Sequence, residues 1–168
     1  MRGEWCYFGK YFTPEQCKQI LNDGLQLPAQ DAKLGVAGMS EHDPGDYRKS
    51  KIRFIQKENR PQFHWLFDEL WKMGSQANHD WFNFHITNLS FIQLAEYDAS
   101  YEGEYKQHHD VFWINDDPFH HRKLTAVVQL TDPGDYEGGE FEICDHTVNS
   151  HPNASDIKSR GTVTFIPS

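Results

Sequence analysis

The sequence predicts an α+β fold in which helices come first and a sandwich or jelly roll of short strands follows. Helical patterns are confined to the first part of the chain, before about residue 74. The remainder consists of short apolar segments bounded by glycine, proline and aspartate. Helices followed by a run of strands are typical of α+β proteins, and short strands with frequent turns are typical of jelly rolls. The length of 168 residues suits a single domain, residues 1–168.

The first helix is predicted in the segment "TPEQCKQIL". Thr13 can cap the amino end, Pro14 suits the first helical position, and Gln16 stands where a capping box places its second member. The apolar stripe continues through Ile20, and Gly24 is predicted to stop the helix.

The second helix is predicted to begin near Asn59 and Pro61 and to end near Gly74. Apolar residues recur within it at spacings of three and four, which marks one buried face. They are Phe63, Leu66, Phe67, Leu70 and Trp71.

Alternation and turn boundaries predict strands in the rest of the chain. In "SKIRFIQ", Ile52 and Phe54 alternate with Lys51 and Arg53, which assigns them to opposite faces. The segment "WFNFHITNLSFIQLAEYDAS" reads as one long strand or two joined ones. The other predicted strands are "GEYKQHHDVFW", "RKLTAVVQLTD", "GGEFEICD" and "RGTVTFIPS".

The composition excludes several classes of function. The chain has 16 basic and 25 acidic residues, a net charge of -9, which argues against nucleic acid as the main partner. No apolar run approaches the ~18 residues of a membrane span, and "MRGEWCYFGK" lacks the apolar core of a secretory signal. The three cysteines, Cys6, Cys17 and Cys144, form no C-x-x-C pair, which favours reduced thiols and a cytoplasmic location.

The stretch "YKQHHDVFW" contains three consecutive residues that can each bind a metal. Side chains in a strand alternate between two faces, so His108 and Asp110 are predicted to point the same way and His109 the other way. Tyr105 would likewise lie opposite His108 if the strand is regular. A histidine and a carboxylate side by side form two thirds of the 2-His-1-carboxylate triad that binds iron(II) and leaves three positions open.

A His-x-Asp pair alone admits other interpretations. It occurs on the polar ends of surface strands without any function. Zinc also takes histidine and aspartate together with a water, so a zinc hydrolase is an alternative, although no H-E-x-x-H motif supports it. A cupin-like binding or structural module is the non-enzymatic alternative.

Four segments have a recognisable arrangement. "IQLAEYDASYEGEYKQHHD" contains a glutamine, a tyrosine, a turn with glycine, and a second tyrosine three residues before the histidine. "HRKLTAVVQLTDPGDYEGGEFEI" has a basic residue, an apolar strand, an acidic turn and Gly-Gly-Glu. "YRKSKIRFI" has an Arg-x-Ser strand, and "RGTVTFIPS" begins with glycine and ends in Pro-Ser. From about residue 48 to the end, the chain resembles the prolyl 4-hydroxylase-like family of iron(II)/2-oxoglutarate-dependent dioxygenases, especially its bacterial and phage branch.

The resemblance implies a double-stranded β-helix, a cupin-like jelly roll, with the N-terminal helices packed outside. It implies iron(II) on His108 and Asp110, 2-oxoglutarate as cosubstrate, and ascorbate as the reductant that keeps the iron reduced. Tyr97 and Gln129 lie where family members hold 2-oxoglutarate, although many relatives carry tyrosine at the Gln129 position. The implied activity is hydroxylation of a peptidyl residue, with proline the expected one, so a peptide or protein substrate is expected.

Thr125 and Val127 share a strand face with Gln129. If that face is the inner one, it can line a pocket with one polar group among apolar ones.

The resemblance also implies a second histidine ligand a few residues after the Pro-Ser turn, and a basic partner for 2-oxoglutarate beyond it. The sequence ends at Ser168. The expectation is therefore a truncated domain without its last strand, of doubtful activity. A naturally short, inactive domain is the second interpretation, and a site completed by His146 or His151 is the third.

Overall fold

The computed structural model describes residues 5–32, 48–108, 110, 121–139, 141–143 and 156–168. The two α-helices are α1 (Pro14–Leu25) and α2 (His64–Ala77). The strands are β1 (Cys6–Phe8), β2 (Gln30–Asp31), β3 (Arg48–Lys49), β4 (Lys51–Ile55), β5 (Ile92–Glu96), β6 (Glu104–Tyr105), β7 (Leu124–Val128) and β8 (Val163–Pro167). Across these ranges, no helix has the length and apolar character needed to cross a membrane.

The strands form three antiparallel sheets with the orders β1-β8-β7, β2-β4-β5 and β3-β6. The predicted combination of helices and antiparallel strands is therefore confirmed for the described residues, but the order differs from the prediction because β1, β2, β3 and β4 precede α2. The ladders do not join into one closed structure within those ranges, so the double-stranded β-helix stays a prediction.

Helix α1 begins as the sequence predicts. The backbone amide of Gln16 donates to Thr13 Oγ1 at 3.2 Å, and the amide of Thr13 donates to Gln16 Oε1 at 2.9 Å, which completes the capping box. Gly24 does not stop the helix, because it lies inside the last turn. A Cβ there would be 2.6 Å from a methyl carbon of Leu94, so the glycine allows β5 to approach the helix closely.

Helix α2 extends further than the sequence predicts. It follows two 3-10 turns at Lys57–Asn59 and Pro61–Phe63 and runs past Gly74 to Ala77, where a π-helical turn continues it. A Cβ at Gly74 would be in ordinary van der Waals contact, 3.4 Å, with the ring of Phe165 on β8. The helix continues past Gly74, so the prediction that this glycine ends it was wrong.

The β1-β8-β7 sheet presents one face to the helical core. Phe165 and Val163 of β8 are buried in that core, and Leu124, Ala126 and Val128 of β7 pack against it. Residues paired across an antiparallel ladder lie on the same face, so the pairs Thr125–Ile166 and Val127–Thr164 face away from α2. Thr125 and Val127 thus share a face, as predicted.

Gln129 extends this ladder beyond β7. Its amide donates to Thr162 O at 3.0 Å, and its carbonyl accepts from the amide of Gly161 at 2.7 Å. Gly161 has φ +84° and also accepts at its carbonyl from the amide of Phe12 at 3.0 Å. This turn therefore ties β8 both to β7 and to the segment that leads into α1.

Several strands differ from the predicted pattern. Phe54 is 44% exposed, whereas Arg53 is 9% exposed, because Arg53 donates to Leu27 O and pairs with Glu96, each at 3.2 Å. In the segment 81–100 only Ile92–Glu96 forms a strand, and residues 141–143 of "GGEFEICD" form none. Alternation alone does not reveal that an arginine can be buried when backbone and carboxylate acceptors meet it.

Cys6 and Cys17 are buried and free, as predicted, and Cys144 lies outside the described residues. Burial raises the pKa of the Cys6 thiol to about 12. Neither described thiol has the environment of a reactive cysteine.

Gly138 and Gly161 both have positive φ, so a pair of alanine variants can separate backbone strain from the close packing of Gly161 against Phe12. In Gly138→Ala the new Cβ meets no atom within 4 Å. The variant should therefore lower the free energy of unfolding only by the ~1–2 kcal/mol that the left-handed backbone conformation costs an alanine. Gly161→Ala has the same strain, but its Cβ would also overlap the carbonyl oxygen of Phe12. We expect urea unfolding to show a loss of more than about 3 kcal/mol for Gly161→Ala. Equal losses in the two variants would contradict the packing described for this turn.

Candidate metal centre

The predicted metal ligands lie just after a strand and not within one. β6 ends at Tyr105, and the chain bends at Gln107 before it reaches His108. The prediction of a regular strand through this segment was therefore wrong for residues 106–108 and 110, and His109 and residues 111–113 lie outside the described residues.

The bend changes the position of Tyr105 relative to His108. Strand alternation places their side chains on opposite faces, but the two rings stack with their centroids 3.5 Å apart and their planes 14° apart. The expectation for Tyr105 held only for a regular strand, and the strand ends at Tyr105, so alternation does not apply beyond it.

His108 and Asp110 converge nonetheless. His108 Nε2 lies 3.2 Å from Asp110 Oδ1, and both side chains are partly buried. Two ligand atoms about 2.1 Å from one ion and at right angles to each other lie about 3.0 Å apart. The observed separation therefore fits two adjacent positions of an octahedral metal.

The second nitrogen of His108 is also engaged. Nδ1 lies 2.8 Å from the carbonyl oxygen of Lys106, which can only accept, so Nδ1 carries a proton. In the neutral ring, Nε2 then presents its lone pair toward the carboxylate of Asp110. Histidines that bind metals generally donate their other nitrogen to such an acceptor, which fixes the tautomer and the ring orientation.

Arg122 lies at the edge of this pair. Its guanidinium is 3.9 Å from Asp110 Oδ1 and 6.0 Å from the ring of Phe91. The two side chains therefore form an ion pair. At 3.9 Å the guanidinium offsets the negative charge of Asp110 but is too far from Oδ1 to donate a hydrogen bond to it.

Arg48 is a neighbour that the sequence reasoning missed. Its guanidinium carbon lies 4.3 Å from the centroid of Tyr105, the ring that stacks on His108. The Arg-x-Ser pattern of "YRKSKIRFI" was its only signal in the sequence, and that pattern carries no indication of which ring the arginine meets.

Tyr97 and Gln129 are placed on different sheets. Tyr97 directly follows β5 and is 45% exposed, and Gln129 directly follows β7. Within the described residues, neither forms a hydrogen bond with His108 or Asp110. Their assignment to 2-oxoglutarate therefore stays a prediction.

A third metal ligand is not found among the residues that the structure describes. No group of three histidine, cysteine, aspartate or glutamate side chains gathers around one point in those ranges. Several histidines lie outside them, namely His42, His109, His120, His146 and His151. The earlier suggestion that His146 or His151 completes the site therefore stays untested.

Comparison with known proteins finds one family model that matches part of the chain. Residues 92–168 match the family model described as the 2OG-Fe(II) oxygenase superfamily. The match begins with β5 and contains His108, Asp110, Tyr97 and Gln129, and it covers slightly less than half of the chain. No curated protein and no solved structure matches the chain significantly.

The convergence of His108 and Asp110 predicts how metal binding responds to mutation. His108→Ala and Asp110→Ala should each weaken iron(II) binding by at least ~10–100-fold, the effect of losing even a residue that supports a ligand. His109→Ala should bind as the unaltered chain does. Anaerobic titration with iron(II) measures all three. If His109→Ala loses the metal while His108→Ala retains it, the pairing seen here is not the metal site.

Proposed function

We propose that this protein is an iron(II)- and 2-oxoglutarate-dependent dioxygenase whose metal is held by His108 and Asp110. The observation that carries the proposal is the 3.2 Å convergence of an imidazole nitrogen and a carboxylate oxygen. It occurs within the segment that matches the 2OG-Fe(II) oxygenase superfamily. When bound, iron(II) together with 2-oxoglutarate and dioxygen supplies the oxidising chemistry for hydroxylation.

The protein's own contribution is to shape and orient the ligands. The carbonyl of Lys106 holds the proton of His108 on Nδ1, so Nε2 is available to a cation. Asp110 adds a negative charge, and Arg122 partly balances that charge from 3.9 Å. A protonated His108 forms an ion pair with Asp110 through Nε2, and a divalent cation at this point would take the place of that proton between the two groups.

We place the 2-oxoglutarate on the face of the β1-β8-β7 sheet that points away from α2. Gln129, which follows β7, is one proposed contact, and Tyr97, which follows β5 of the other sheet, is the second. That face carries polar groups among apolar ones, as a site for a small dicarboxylate requires. Thr125 Oγ1 lies 2.7 Å from Ser168 Oγ. The buried hydroxyl of Thr164 has no hydrogen-bond partner among the described residues. Enclosure of this face by a jelly roll, a double-stranded β-helix, is part of the proposal.

The proposed substrate is a peptide or protein, with a prolyl residue as the hydroxylated group. The resemblance to prolyl 4-hydroxylases supports it, and so do aromatic side chains close to the site. The ring of Phe91 contacts both Phe54, at a centroid distance of 5.4 Å, and Arg122. Aromatic surfaces bind extended proline-containing peptides. Ascorbate as reductant and a cytoplasmic location belong to the same proposal.

A second candidate is an inactive, cupin-like binding module. The observation that favours it is the lack of a third metal ligand among the described residues. Such a module would bind a metal or a small ligand without turnover. Release of succinate from 2-oxoglutarate separates the two candidates, because only the oxygenase consumes its cosubstrate.

The mode of 2-oxoglutarate binding gives a spectroscopic prediction. A 2-oxo acid that chelates iron(II) through two oxygens should produce a weak visible charge-transfer band under anaerobic conditions. Succinate, which lacks the keto group, should not reproduce it, and His108→Ala should abolish it. A chain that binds both iron(II) and 2-oxoglutarate without this band would argue against chelation at this site.

A further inference from the structure

We infer that Arg48 positions the metal ligand His108 by acting through the ring of Tyr105. The inference rests on the proposed function, because it takes His108 as a metal ligand. It assigns a role to a residue outside the segment that matches the oxygenase superfamily. The basis is a continuous column of contacts in which Tyr105 lies between a guanidinium and an imidazole.

The geometry of the column follows from two distances to one ring. The imidazole of His108 covers Tyr105 nearly in parallel, at 3.5 Å and 14°. The guanidinium carbon of Arg48 lies 4.3 Å from the same centroid. A group that close lies over a ring face and not at its edge, and one face is already covered by the imidazole. Arg48 therefore occupies the opposite face, where a cation is attracted to the π-electrons.

The backbone brings Arg48 to this position. Arg48 and Tyr105 are directly paired across the two-residue β3-β6 ladder. Paired residues in an antiparallel ladder project on the same side, which lets the arginine side chain lie on the tyrosine ring. An isolated two-stranded ladder is marginally stable, so side-chain contacts decide whether this one persists.

The guanidinium is itself held from two directions. Its Nε donates to Ser50 Oγ at 2.8 Å, and its Nη2 donates to Gln93 Oε1 at 3.4 Å. Ser50 is buried, and Gln93 belongs to β5 within the β2-β4-β5 sheet. Arg48 thus holds the ring of Tyr105 in place relative to that sheet, and the ring of Tyr105 in turn holds the imidazole of His108.

The column complements the hydrogen bond on the other side of the ligand. The Nδ1 bond to Lys106 O sets which nitrogen faces Asp110, and the stack on Tyr105 sets the plane of the ring. A ligand held in both respects loses less freedom when it binds a metal. Without the stack, Nε2 would sample directions that miss the position shared with Asp110.

The test is a titration with cobalt(II), which is stable in air and reports its ligand geometry by visible absorption. Tyr105→Leu removes the ring and should weaken cobalt(II) binding by roughly 10–100-fold, and Tyr105→Phe should restore it because the ring returns. Arg48→Ala should weaken binding by about 3- to 10-fold and alter the cobalt absorption.

Lys49→Ala is the matched control. Lys49 lies on the same strand and also carries one positive charge, but it pairs with Glu102 at 3.3 Å on the exposed surface. It should bind cobalt(II) as the unaltered chain does. If Arg48→Ala does not fold by circular dichroism, Arg48→Gln takes its place under the same criteria.

A double-mutant cycle tests the route of the effect. If Arg48 acts through Tyr105, adding Arg48→Ala to Tyr105→Leu should cause no further loss of affinity. Fully additive losses, or an Arg48 variant that matches Lys49→Ala, would overturn the inference. His108→Ala is measured in parallel. If it binds cobalt(II) normally, the proposed metal site itself fails, whereas normal binding by the Arg48 and Tyr105 variants alone refutes the positioning role.

Discussion

The packing of α2 on the β1-β8-β7 sheet is the constraint on which the other parts of the structure depend. Val163 and Phe165 of β8 are buried against the helical core, and the ring of Phe165 contacts α2 at Gly74. This contact commits one face of the sheet to the core. The opposite face carries Thr125, Val127 and the buried Thr164, and it is the face on which we propose that 2-oxoglutarate binds.

The β2-β4-β5 sheet divides its faces in a related way. Leu94 packs against α1 at Gly24, while Gln93 on the other side of β5 reaches Arg48. In each of these two sheets, one face packs against a helix and the opposite face carries polar side chains. The candidate metal centre lies after β6, and the β3-β6 pair connects it to this second sheet.

The local arrangement at His108 combines a rigid support with an irregular backbone. The backbone leaves the extended conformation after Tyr105. The imidazole of His108 can therefore stack on the ring of Tyr105 and also donate a hydrogen bond to the backbone carbonyl of Lys106. A continuous strand would have presented His108 and Asp110 on one face, but it would have kept Tyr105 away from both. The bend therefore adds contacts to the ligand that alternation does not provide.

The sequence by itself determined the features that depend on neighbouring residues. The capping box of Thr13 and Gln16, the strands around Ile52 and Val127, and the pairing of His108 with Asp110 follow from local hydrogen bonding, alternation and short spacing. Tertiary structure alone decided the rest. Gly24 stands inside α1 where the distant side chain of Leu94 leaves no room for a Cβ, and Arg53 is buried because distant acceptors meet it. Arg48 reaches Tyr105 through a ladder between segments more than fifty residues apart in sequence, and a one-dimensional pattern does not contain that contact.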